Sequence, residues 1–198
     1  MFFASLIDTS KYYVLESKRE EPSLMEKDDS LFQKNLHAIG KLKYVQELKS
    51  SEIDCILCEI VKDSDKVVVL KIYQGKLMAI SLNLYPFNPG HLMVFPIRHI
   101  LDFRELSENE ILRLSQLICK CQDMLTELYS PTGFNIGFNQ GGAAGASIKH
   151  LHVHIVPRYN RELGYIDIIG KTRVVVEDVH SVFEKMKKLV PKFFEKKE

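Results

Sequence analysis

The chain has 198 residues, 45 % of them hydrophobic and 27 % charged, with a formal net charge of +1. That is enough apolar material for one packed domain, alone or with an extension. The near balance of charge excludes a global field that would draw the chain to nucleic acid or to an acidic membrane, so local groups must hold any anionic ligand. Four cysteines in a chain of this length do not make a secreted disulfide framework. The opening residues, MFFASLIDTSKYYVLESKRE, lack the basic start and long apolar stretch of a signal peptide. No window approaches the roughly 20 apolar residues of a membrane span. The reading is a reduced, cytoplasmic protein with no nucleic-acid or membrane partner.

Residues 1–50 read as an N-terminal extension, and 51–198 as the domain proper. In the extension, Leu31, Leu36, Ile39, Leu42, Val45 and Leu48 recur near a period of 3.6 and predict a helix over 31–49, weakened by Gly40. From Cys55 the texture changes. Val67–Leu70 and Lys76–Ile80 read as strands around a Gln74-Gly75 turn. After the turn-rich Asn83–Gly90 segment, His91–Pro96 reads as a third strand. Ser107-Glu108-Asn109-Glu110 is a capping-box signature, and apolar residues at 111, 114, 118, 121, 125 and 128 predict a helix that stops near Ser130–Gly133. Cys121 lies on its apolar stripe. Phe134–Asn139 and His150–Val156 read as strands, the second ended by Pro157, and Val174–Val176 as a further short one. Glu177–Val190 reads as an amphipathic helix ended or kinked at Pro191. Strands in succession with one long helix among them predict an α+β fold with an antiparallel sheet.

The densest chemistry is the run His150-Leu151-His152-Val153-His154. On a strand the three histidines share one face, and Leu151, Val153 and Ile155 take the other. Such a row suits metal binding or nucleophilic attack on phosphorus. Just before it, Gly141–Ser147 contains three glycines and three alanines, leaving room for an anion against backbone N–H groups. Cys55-Ile56-Leu57-Cys58 is a C-x-x-C, open to reading as a redox pair, a metal half-site or coincidence. No convincing helix follows Cys58, which speaks against a thioredoxin-like motif.

With its flanks, the run resembles the histidine triad superfamily. The residues carrying the resemblance are His150–Val156 with Pro157-Arg158, Asn88–Val94, Pro96–His99 and Phe134–Gln140. It covers roughly 55–175. The Leu82–His91 segment and Gly170 look most like the branch that cleaves dinucleoside polyphosphates such as diadenosine tetraphosphate. The resemblance implies a sheet of about five antiparallel strands with the long helix packed on it, and a C-terminal helix. It implies His152 as nucleophile, His154 as its catalytic partner at the scissile phosphate, and Asn83, His91, Asn139, Gln140, Gly145 and Ser147 as substrate contacts. It implies a structural zinc on Cys55, Cys58, His99 and His150, and a homodimer with the 107–129 helix at or near its interface. Ala146 departs from the fragile histidine triad hydrolases, which carry a glutamine there, and so leaves room for phosphate as the acceptor in place of water. A nucleoside phosphoramidase and a nucleotide-binding regulatory protein are the alternatives.

Overall fold

The computed structural model describes residues 53–160, 162 and 177–194. The helix expected over 31–49, the strand at Val174–Val176 and the extension 1–50 lie outside the described residues.

The described chain opens on a short helix, α1 (Ile56–Val61), capped by the Cys55 thiol, which accepts from the Cys58 amide at 3.4 Å. Strands β1 (Lys71–Gln74) and β2 (Met78–Leu82) follow as the expected hairpin, closed by Gly75 N–H donating to the Met78 carbonyl at 2.9 Å. β1 begins later than the Val67–Leu70 run. Val67 and Val69 are packed beside α1 instead of paired, Val68 is exposed, and pairing starts only where Leu70 C=O accepts from Leu82 N–H. The apolar run therefore registers packing against α1 by alternate residues, not a ladder. β3 (Leu92–Pro96) is wholly buried, as β2 is. The helix α2 (Glu108–Tyr129) has the predicted capping box, with Ser107 and Glu110 serving each other's backbone N–H, and stops where Ser130 turns left-handed at φ 48°. It buries Cys121, as expected, with Leu114, Leu117 and Leu125. β4 (Gly133–Gly137) and β5 (Val153–Arg158) complete the sheet, and α3 (Val179–Phe194) closes the described chain.

Among the described residues the five strands form one antiparallel sheet in the order β1-β2-β3-β5-β4. The α+β expectation holds. α2 and α3 pack on one face through a core that includes Ile80, Val94, Val153, Ile155, Leu117 and Met186. The other face carries Ala79, Met93 and Phe95 and is covered by α1 over β2 and β3. β5 runs through Pro157 to Arg158, because its pairing with β3 ends at Ile155 and the missing N–H falls where only β4 is bonded. α3 likewise passes Pro191 to Phe194 and starts two residues after Glu177, where Asp178 caps it by accepting from His180 and Ser181 N–H. No described helix is long and apolar enough to cross a membrane.

Candidate functional site

The histidine row corrects one expectation. Only His154 lies within β5; His150 and His152 precede it in irregular backbone. The alternation survives, with Leu151, Val153 and Ile155 in the helix-side core. The histidine side is not solvent-facing, however: His150 and His152 are buried. Ring-to-backbone hydrogen bonds hold both. His150 Nε2 donates to the Pro96 carbonyl at 2.9 Å, and His152 Nδ1 donates to the His150 carbonyl at 2.7 Å.

Because carbonyl oxygens only accept, these two contacts fix two tautomers. His150 carries its proton on Nε2 and presents Nδ1. His152 carries its proton on Nδ1 and presents the Nε2 lone pair. A third tautomer follows from Phe87, whose N–H donates to His91 Nδ1 at 3.2 Å. His91 must then donate from Nε2 to His154 Nδ1, 3.0 Å away, which leaves the His154 proton on Nε2. Burial, helped by its histidine neighbours, holds His91 down at about 3. Burial and His152 hold His154 at about 4. His152 is lowered too, mainly by burial, against the upward pull of its bond to His150. All three are neutral near pH 7.

His150 Nδ1 faces a cysteine pair. It lies 3.3 Å from Cys55 Sγ and 3.6 Å from Cys58 Sγ, while His99 Nδ1 lies 3.4 Å from Cys58 Sγ. All four ligand atoms fall within 4.8 Å of one another. A tetrahedral ion with bonds of about 2.3 Å to sulfur and about 2.0 Å to nitrogen needs sulfur–nitrogen separations of roughly 3.5 Å. The four residues thus fit a zinc-like ion. Burial and the Cys55 contact push the Cys58 thiol up to about 11, and burial holds His150 at about 4. Binding a dication would reverse the first shift and make use of the second. α1, absent from the sequence reading, supplies both cysteines.

A cavity of about 180 Å³ opens beside His152. Its wall is apolar, formed by Leu57 and Ile60 of α1 with Leu82, Met93 and Ile148. Its polar end carries His152, His154, Asn139, Ser147 and Asn83, with Gly145 at the rim. Asn83 Oδ1 accepts from Tyr85 N–H at 2.9 Å, which fixes that carboxamide. Two expected contacts do not reach the cleft. His91 is buried behind His154 and stacks on Phe87 at 5.0 Å. Gln140 is engaged elsewhere, donating to Asp102 and accepting from Phe103 N–H. The small-residue loop also differs from expectation. Its Ala144, Gly145 and Ala146 amides bond to loop carbonyls and are not available to an anion. The sequence reading missed the α1 wall, Tyr85, Phe87 and Ile148, although the apolar spacing Ile56, Leu57, Ile60 was a usable helical signal.

The HIT domain family matches residues 64–161. A HIT-like protein of Mycoplasma genitalium is 32 % identical over 124 residues, covering 63 % of this chain and 86 % of that protein. The chain belongs to the HIT family. An AP-4-A phosphorylase of Mycobacterium tuberculosis is 42 % identical over 107 residues, covering 54 % of this chain. The matched part spans about half, 55 %, of that HIT relative's length. Among solved structures, a zinc-bound histidine triad protein of Mycobacterium smegmatis superposes with a TM-score of 0.57 at 24 % identity, covering 70 % of this chain and 94 % of that one, and so shares the HIT fold.

Proposed function

We propose that the protein is a nucleotidyl hydrolase or transferase that cleaves dinucleoside polyphosphates of the diadenosine tetraphosphate type at the α-phosphate. The observation that carries this reading is the tautomer pair at the cleft: a His152 Nε2 lone pair beside a His154 Nε2–H. The likeness to the mycobacterial AP-4-A phosphorylase supports the substrate class.

In the first step, His152 Nε2 attacks the α-phosphorus and the bond to the bridging oxygen breaks. The attacking imidazole becomes cationic, and its Nδ1–H stays bonded to the His150 carbonyl. The His154 Nε2–H donates to the phosphate oxygens, with Ser147 and Asn139 alongside. The departing phosphate chain leaves as an anion, so no proton has to move. Water or inorganic phosphate then attacks phosphorus, the P–Nε2 bond breaks to return neutral His152, and where water is the acceptor its proton passes to solvent. The nucleoside occupies the apolar part of the cavity, between α1 and Leu82.

Zinc on Cys55, Cys58, His99 and His150 would be structural, tying α1 to the His150 backbone that holds His152. Four cysteines outside any disulfide suit a reducing, cytoplasmic setting. A homodimer is supported by the exposed Leu112 and Ile111 of α2 and Ile136 on the edge strand β4, and a monomer in sedimentation would remove it. The decisive test is His152→Ala assayed on diadenosine tetraphosphate. We expect a loss of about 10⁴-fold or more in kcat, as for deletion of an attacking nucleophile. Activity within a few-fold of the parent would sink the reading. Running the assay with and without phosphate identifies the acceptor, since phosphate as acceptor yields a nucleoside diphosphate.

A further inference from the structure

Among the described residues, the sheet face that carries His154 is only half covered. Over β2 and β3 it lies under α1, where the cavity sits. Over β5 and β4 no described residue covers it, and a second, shallower depression of about 490 Å³ runs along it. Phe87, Asn139 and His154 line both depressions, so the two meet at the third histidine.

The pairing register explains the shape. His154 stands opposite Gly137, Val156 opposite Asn135, and Arg158 opposite Gly133. Paired residues share a face, so this strip bears His154, Val156 and Arg158 on one strand and a single side chain, Asn135, between two glycines on the other. A Cβ added at Gly133 or Gly137 would meet nothing within 4 Å. The trough is therefore cut by missing side chains. It ends at Arg158, about 13 Å along β5 from His154 at the usual strand rise. The guanidinium is fixed there by Glu162 Oε2 at 2.5 Å, and the other carboxylate oxygen of Glu162 accepts from Asn88 and from Tyr159 N–H. Glu162 offsets part of the positive charge but also orients it. A positioned cation, carboxamides from Asn135 and Asn139, and a floor free of side chains suit an extended phosphate chain.

We infer that this trough is a second subsite, which binds the departing half of the substrate: the polyphosphate chain along β4 and β5 toward Arg158, and its distal nucleoside beyond. The inference rests on the reading of His152 as the nucleophile at the α-phosphate. The nucleoside joined to that phosphate occupies the cavity under α1, and the leaving chain exits past His154 onto the open strip. The trough thus selects for long leaving groups.

The test compares diadenosine tetraphosphate with adenosine 5′-phosphorofluoridate, whose leaving group is a single fluoride. Arg158→Gln removes the cation. Gly137→Leu fills the trough at a position where the added side chain meets open space. The readout is the ratio of kcat/KM for the dinucleotide to kcat/KM for the fluoridate. We expect that ratio to fall about tenfold or more in both variants, the size of one charge-assisted contact. A smaller fall in either variant overturns the subsite. The fluoridate rate in the same preparation reports on folding and on the nucleophile. An unmutated protein inert toward both substrates would instead overturn the reading of His152, which keeps the two failures apart.

Discussion

The two flanks of His152 are built alike and oppositely. On one side, a carbonyl holds the His150 proton on Nε2 and turns Nδ1 toward two thiols. On the other, a histidine occupies His154 Nδ1 and turns its N–H toward the cleft. Between them His152 is held in the reverse sense, with its proton on Nδ1. Three identical side chains at alternate positions thus present a nitrogen to two thiols, a lone pair to the cleft and a donor to the cleft. The difference lies in what each ring's second nitrogen touches, since a neutral imidazole has one donor and one acceptor and fixing one fixes the other. The metal flank is set by main-chain and sulfur contacts, the donor flank by a single buried side chain.

The larger expected effect breaks the metal flank. Stripping zinc with a chelator, or replacing a ligand as in Cys58→Ser, removes a contribution of about 4 kcal/mol if free zinc stands a thousandfold above its dissociation constant. Denaturation midpoints with and without chelator, with metal content measured alongside, check this. Equal stabilities and no bound metal would mean that the four ligands are only a packed cluster.

The next effect sharpens the donor flank. His91→Leu deletes the N–H that occupies His154 Nδ1, and the His154 ring is then free to turn its lone pair to the phosphate. We expect kcat to fall roughly 10- to 100-fold, less than the cost of deleting a transition-state donor outright. KM should change little. His91→Gln, which keeps an N–H near the same position, should recover most of the rate. A change confined to KM, or no recovery in the glutamine variant, would make His91 a packing residue.

These contacts also mark how far the sequence could be read. Locally coded features were legible: the capping box of α2, the Gly75 turn and the burial of Cys121 all depend on near neighbours. The histidine row was legible as a row, but not as three tautomers. The carbonyl and histidine partners of His150 and His154 come from Pro96 and His91, 54 and 63 positions away. Register brings them together, with Met93 opposite His154. α1 offered only its short apolar spacing, since its cap is a thiol in place of the usual hydroxyl or carboxylate. Gln140 looked like a ligand residue because of its neighbours in sequence, and the turn at Asp102–Phe103 takes it instead.

The smallest expected effect concerns what steadies the outer ligand of the metal flank. His99 follows Arg98, whose guanidinium bonds both oxygens of the nearly buried Glu110, at 2.7 and 2.8 Å. That bond, with lesser help from Ser107 and against burial, lowers the Glu110 carboxyl from 4.5 to about 2. A depressed carboxyl stabilises the fold above its unfolded value, and the stability is lost as pH falls from about 4.5 toward 2. With Arg98 half exposed, solvent screening keeps the contribution to about 1 kcal/mol. Glu110→Gln should lose that amount at pH 7 and flatten the acid slope, as read from urea midpoints across the range. Zinc-loaded protein tells whether the pair matters to the metal. If it positions His99, the variant binds zinc more weakly as well as folding less stably. If zinc affinity is unchanged, the cysteines and His150 dominate the site, and the metal flank owes its rigidity to α1 and the Pro96 carbonyl alone.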